Sequence, residues 1–202
     1  PPRNICPKIS PAELERTLEY LRAIYPERQA ELEPLSERIR SSSGRSLADR
    51  SNSEGHLTVS GTVLHVRTGR VLLLHHRALG LWIPPGGHIE PGDDSLPAAA
   101  AREVCEETGI CGHALRPVCM SGGLQTALDF DVFTVPANER RGEGAHRHYN
   151  LRYLFLYDGP EEVRIAPDES LGYRWYPLDD PYVRRLYERI WSRLRQLVSL
   201  PR

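Results

Sequence analysis

Glu103, Glu106 and Glu107 stand at i, i+3 and i+4 of one segment, directly after Arg102. If that segment is helical, neighbouring Cβ atoms lie about 6 Å apart and three carboxylates crowd one stripe. Like charges at this spacing cost a helix roughly 0.2–0.5 kcal/mol per pair. An oxygen-rich face that accepts such a cost suits a hard divalent cation, magnesium or manganese. Arg102 can reach Glu106 one turn on and fix its rotamer, leaving the other carboxylates to the metal. Taken alone, the same pattern also describes a solvated acidic face with an incidental ion pair, and its surroundings decide between the two.

Residues 86–110 read GGHIEPGDDSLPAAAAREVCEETGI. The Gly-rich head, followed by Arg102-Glu103-Val104-Cys105-Glu106-Glu107-Thr108-Gly109-Ile110, resembles the Nudix hydrolase signature: Gly, five residues, Glu, seven residues, then Arg-Glu-apolar-x-Glu-Glu-x-Gly-apolar. Two departures stand out. After Gly87 and five intervening residues the chain has Asp93 where the family has Glu, and eight residues rather than seven then precede Arg102. With the surrounding strands and the last helix, the resemblance covers roughly residues 55–200. It implies that Glu106 and Glu107 bind Mg2+ or Mn2+, with Glu103 as a further ligand or the general base. The Gly87 carbonyl would be another ligand, and Arg102 would orient the glutamates. The implied reaction is attack of a metal-activated water on one phosphorus of a diphosphate, in which the cation neutralises developing charge. The substrate class is a nucleoside diphosphate linked to another moiety. The alternatives are a non-nucleoside diphosphate, or a nucleotide-sensing module without catalysis.

Weaker signals lie elsewhere. A strand over 127–135 places Asp129, Asp131 and Phe133 on one face. A strand over 148–157 places His148, Asn150 and Arg152 on one face, with His146 in phase. If the two pair, acids meet a histidine and an arginine in a polar wall that could hold substrate or another metal, or could be a face of satisfied ion pairs. His75 and His76 end a buried-looking strand, and His88 lies in the signature loop. A zinc site combining these with His146 or Cys119 lacks any short-range ligand pair to anchor it. Trp82, just ahead of the loop, could stack on a base or belong to the core. Cys6, Cys105, Cys111 and Cys119 show neither CxxC spacing nor the density of a disulfide framework, which points to a reducing cytoplasm.

The carboxylate helix is expected over 96–108, with Pro97 near its start and Gly109 as its C-terminal cap. Ahead of it, strands around Leu57–Val63 and 71–74 flank a turn at Thr68-Gly69, a hairpin pattern. Short strands are expected near Val163 and over 173–176, then a final helix capped by Asp180 with Val183, Leu186, Ile190, Leu194 and Leu197 on its stripe. At the N-terminus, Ser10, Pro11 and Glu13 form a capping-box pattern ahead of Leu14, Leu18, Leu21 and Tyr25. A second helical stretch carries Leu32, Leu35 and Ile39, with Pro34 kinking it or opening a new helix. Residues 41–53 read as a linker. Together these give an α+β fold with a mixed sheet, a Nudix-like α/β/α sandwich by resemblance. The expected division is an N-terminal helical extension over 1–50 and a hydrolase domain over 51–202. The extension's helices would pack on that domain or on a second copy of the chain in a homodimer.

Composition sets the outer limits. In 202 residues, 27 acids nearly cancel 26 bases, which argues against a nucleic-acid reader with a broad basic face and favours a small-molecule partner. No apolar run approaches the ~18 residues of a membrane span, and no secretory signal pattern opens the sequence.

Overall fold

The computed structural model describes residues 9–41, 47–49, 52, 54–119, 125–137 and 144–199. Most of the expected linker over 41–53 lies outside the described residues. The fold is α+β. Helices α1 (Pro11–Ile24) and α2 (Gln29–Ser41) precede strands β1 (Gly55–His65), β2 (Arg70–His76), β3 (Trp82–Ile83) and β4 (Gly86–His88). Then come α3 (Leu96–Thr108), β5 (Arg116–Pro117), β6 (Asp129–Val135), β7 (His146–Tyr157), β8 (Ser170–Pro177), α4 (Pro181–Leu186) and α5 (Trp191–Ser199). Strand pairing runs β3-β2-β1-β7-β5, with β4 on β1, β6 on β7 and β8 on β2. By contacts the chain forms two compact units. One comprises Pro1–Val59, Gly87–Ala99 and Thr126–Arg152; the other comprises Ser60–Gly86, Ala100–Gln125 and Tyr153–Arg202.

In the first unit, Ser10 Oγ accepts from the Glu13 N–H at 3.1 Å, capping α1 as its sequence requires. The reciprocal half of the expected capping box is replaced by a long-range contact, because the Glu13 carboxylate accepts the Leu96 N–H at 2.8 Å and so caps α3. Leu14, Leu18, Leu21, Leu32, Leu35 and Ile39 bury the apolar stripes of α1 and α2 inside this unit. Helix α2 continues through Pro34. The helices are tied to the entrance of β6 by Tyr25, whose hydroxyl donates to the carbonyl of Leu128, the residue before the strand, at 2.9 Å. Arg28 donates to Phe130 O at 3.1 Å and lies over the Phe130 ring. Strands β6 and β7 pair antiparallel, with Asp129 opposite Arg152, Asp131 opposite Asn150 and Phe133 opposite His148.

In the second unit, β1 and β2 form the expected hairpin, pairing Leu64 with Val71 around Gly69, whose φ of +64° is the left-handed turn conformation. Strand β8 pairs along β2 from Arg70–Pro177 to His76–Ser170. No strand forms near Val163. That segment instead runs against the end of α3, with Arg164 N–H donating to Thr108 O and Ala166 N–H to Glu107 O. The single final helix expected from the stripe is two. At Tyr187 the backbone leaves the helical region (φ −113°, ψ 23°), and an i→i+3 bond from Ile190 N–H to Tyr187 O tightens the turn. Tyr187, Ile190 and Leu194 all stay buried, so the apolar period carries no mark of the break.

Cys105 and Cys111 are joined by a disulfide, which corrects the expectation of unpaired cysteines. Gly109, with φ of +73°, turns the chain back after α3 and brings the two Cα atoms to 4.6 Å. The argument for a reducing compartment rested on unpaired cysteines and loses that support. Among the described residues, no helix is long and apolar enough to cross a membrane.

Candidate active site

Helix α3 begins where Ser95 Oγ accepts the Ala98 N–H and ends at the Gly109 turn, where Gly109 N–H donates to Cys105 O. Its buried stripe of Leu96, Ala99, Ala100 and Val104 fixes which face turns inward. Val104 packs against Gly61 of β1; a Cβ on Gly61 would collide with Val104 Cγ2 and come within 3.2 Å of Phe155 Cε2. The close approach of helix to strand therefore requires glycine at position 61.

This packing orients the three glutamates differently. Glu103 and Glu107 are buried, at 8 % and 4 % exposure, whereas Glu106 is half exposed. Arg102 donates to both Glu103 Oε1 and Glu106 Oε2 at 3.0 Å. It thus grips two of the carboxylates rather than the single one its spacing suggests. The Glu107 carboxylate accepts the Gly86 N–H at 2.8 Å. Gly87 follows directly in β4.

Burial raises the Glu107 carboxyl from the ordinary 4.5 to about 8; the Gly86 N–H opposes the rise, while Glu169, Glu103 and Glu106 add to it. Burial likewise raises Glu103 to about 7, against the pull of Arg102 and with the repulsion of Glu106 and Glu169. Glu169 is thus a fourth carboxylate in this field. Its place follows from the ties between 164–166 and the end of α3, from Ser170 N–H bonded to Ala166 O, and from Arg77 N–H bonded to Glu169 O. It lies far from the signature in sequence, and nothing in its own neighbourhood marked it. Buried carboxylates that repel one another form an oxygen donor set suited to Mg2+ or Mn2+, whose charge offsets both the repulsion and the burial that favour their protonated forms.

The other residues singled out in the sequence fall elsewhere. Trp82 is half-buried in β3, stacked on His75 at 4.9 Å between centroids, and its carbonyl accepts from the Tyr182 hydroxyl. His76 Nδ1 accepts the Leu79 N–H. Asp93 is buried, and its carboxylate accepts the Glu90 N–H at 2.7 Å, closing the loop between β4 and α3. Asp129 is paired with both Arg28 and Arg152, and Asp131 with Arg152 at 2.6 Å. The polar wall of β6 and β7 is therefore largely a buried ion-pair network, with Arg28 a member the sequence did not suggest. On the same phase of β7, His146 and His148 gather with His88 and His56. His56 was missed, although the alternation His56-Thr58-Ser60-Thr62 against Leu57, Val59 and Val63 marks the polar face of β1.

Comparison with known proteins agrees with the architecture. A family model described as NUDIX domain matches residues 55–199. A probable DHNTP pyrophosphohydrolase of Lactococcus lactis subsp. cremoris is 27% identical over 131 residues, 59% of this chain and 73% of that protein. An asymmetrical bis(5'-nucleosyl)-tetraphosphatase of Rattus norvegicus is 29% identical over 123 residues, 61% of this chain and 70% of that protein. Among solved structures, the E. coli dihydroneopterin triphosphate pyrophosphohydrolase is similar with a TM-score of 0.50 and 24% identity, over 70% of this chain and 91% of that one. That last likeness concerns the fold.

Proposed function

The chain belongs to the Nudix family and is a Nudix hydrolase, and from that premise we propose that it cleaves the pyrophosphate bond of a nucleoside diphosphate joined to another moiety. The observation that carries the reading is the carboxylate face of α3, where Arg102 holds Glu103 and Glu106 and the Gly86 N–H holds Glu107. Glu106 and Glu107 would hold a magnesium or manganese ion, which supplies charge neutralisation at the phosphates and a more acidic water. Arg102 keeps two carboxylates in fixed rotamers, so little reorganisation remains when the substrate arrives. Glu103, buried and held by Arg102 at 3.0 Å, is either a further ligand of that ion or the base that takes a proton from the attacking water. The bis(5'-nucleosyl)-tetraphosphatase acts, by its name, on a phosphate chain that joins two nucleosides, which supports the nucleoside class, while the DHNTP pyrophosphohydrolase supports, by its name, cleavage of a pyrophosphate bond.

Residues 1–50 are proposed as an extension to a hydrolase domain over 51–202, with the fixed contacts of Tyr25 and Arg28 on β6 as its anchor. A cytoplasmic setting belongs to the same proposal and rests on the proposed nucleotide substrate alone, since the Cys105–Cys111 disulfide lends it no support.

The test is chromatographic product analysis of a panel of nucleoside triphosphates, dinucleoside polyphosphates, nucleoside diphosphate sugars and non-nucleoside diphosphates, with Mg2+ or Mn2+ and with EDTA, since cleavage between the two phosphates of the proposed substrate leaves each product esterified and frees no inorganic phosphate. Metal-dependent cleavage confined to nucleoside compounds is expected. Cleavage of non-nucleoside diphosphates with equal efficiency overturns the substrate class, and tight binding without cleavage overturns catalysis.

A further inference from the structure

Three imidazoles from three strands converge within the first unit. His56 is the second residue of β1, His88 the last of β4 and His148 the third of β7. One ring nitrogen from each lies within 4.8 Å of the other two. Ring centroids are 4.5 Å apart for His56 and His148, 5.0 Å for His56 and His88, and 5.4 Å for His88 and His148. His56 is 1 % exposed, while His88 and His148 are half-buried. A fourth imidazole stands beside them: His146 stacks on His56 at 4.9 Å, and its Nε2 lies 3.1 Å from Nε2 of His148.

We propose that His56, His88 and His148 form a transition-metal site with zinc as its occupant. The donor set decides the class of ion. Neutral imidazole suits zinc, copper and nickel, whereas magnesium and manganese prefer carboxylate and water oxygens. The geometry is close to what zinc needs. With Zn–N near 2.0–2.1 Å, tetrahedral nitrogens stand about 3.3 Å apart. A spread of no more than 4.8 Å closes to that value by small rotations of His88 and His148, the two rings that reach solvent. Three histidines also leave one tetrahedral position, for water or for His146.

The backbone beneath the cluster is held by its neighbours. His56 shares its face of β1 with Thr58, His148 shares its face of β7 with Asn150, and the Thr58 hydroxyl donates to Asn150 Oδ1 at 3.3 Å. Across β6, Phe133 sits opposite His148 and meets its ring edge-on at 5.5 Å, screening one side from water. The ligands come from separate strands, and β4 is only three residues long. A shared ion ties that short strand to β1 and β7, and its binding free energy adds to the stability of the unit. No ligand of this site belongs to the carboxylate face of α3, so the zinc proposal stands or falls apart from the proposed hydrolysis.

The experiment uses the full chain without a histidine tag, stripped with chelator, and Co2+ as a visible probe of tetrahedral coordination. One equivalent is expected to bind with a tetrahedral spectrum, to be displaced by Zn2+ and to persist in excess Mg2+. Zn2+ alone is expected to raise Tm. His88→Ala and His148→Ala, both at half-buried positions, should weaken binding by at least about tenfold. The triple variant Glu103→Gln, Glu106→Gln, Glu107→Gln should keep the spectrum. Side-chain imidazole NMR of the unmutated chain gives a readout independent of variant folding, with three rings shifting on Zn2+ addition. Histidine variants that bind as tightly as the parent, a spectrum lost in the carboxamide triple variant, or imidazole resonances unmoved by Zn2+ overturn the site.

Discussion

Replacing Glu107 with glutamine should stabilise the metal-free protein while removing its activity. In the folded chain, burial holds the Glu107 carboxyl at about 8, against an ordinary 4.5. The folded state therefore binds more protons than the unfolded state between those values, and stability falls as pH rises through that window. At pH 7 the cost is about 1.36 kcal/mol per unit over roughly 2.5 units, or about 3 kcal/mol. At pH 5 it is about 0.7 kcal/mol by the same arithmetic. Glutamine carries no charge yet keeps an oxygen for the Gly86 N–H, so the hydrogen bond at 2.8 Å survives the change. Urea unfolding in EDTA, followed by tryptophan fluorescence and far-UV circular dichroism, should show Glu107→Gln about 2–3 kcal/mol more stable than the parent at pH 7 and within about 1 kcal/mol at pH 5. Added Mg2+ should reverse the ranking in part, since ligand at ten times its Kd contributes about 1.4 kcal/mol to the parent alone. A variant no more stable than the parent at pH 7, or a gap that does not widen between pH 5 and 7, would show that Glu107 is not the desolvated carboxyl inferred here.

Glu106 is half exposed, so Glu106→Gln should leave Tm within a few degrees of the parent while lowering kcat at saturating Mg2+ by about 100-fold or more; parental kcat would remove Glu106 from the metal site. Gly61→Ala should cost about 1–3 kcal/mol by forcing α3 off β1 through the collision with Val104, measured as a fall in urea midpoint. Tyr25→Phe should cost about 1 kcal/mol by depriving the Leu128 carbonyl of its donor, read as a lowered Tm with an unchanged circular dichroism spectrum.

Short-range patterns carried the parts of this fold that depend on local chemistry. Helix α3 was bounded by Pro97 and Gly109, the hairpin by Thr68-Gly69, and the last helical region by Asp180, because caps and turns act within a few residues of themselves. What escaped depends on residues distant in sequence. Glu13 looked like half of a capping box and instead caps α3, a choice set by packing rather than by spacing. Glu169 and Arg28 enter their clusters through loop and helix placements that no periodicity encodes. The candidate site divides in the same way. Arg102, Glu103, Glu106 and Glu107 are legible because a helix maps sequence spacing directly onto a face. The histidine cluster draws one residue each from β1, β4 and β7, and strand order is what brings them together. His146 and His148 were visible as a phase-matched pair, His88 as part of the signature loop, and His56 as one polar residue in an alternating strand. Their convergence is a property of the sheet, and so a metal site built across strands is the feature a linear reading is least able to see.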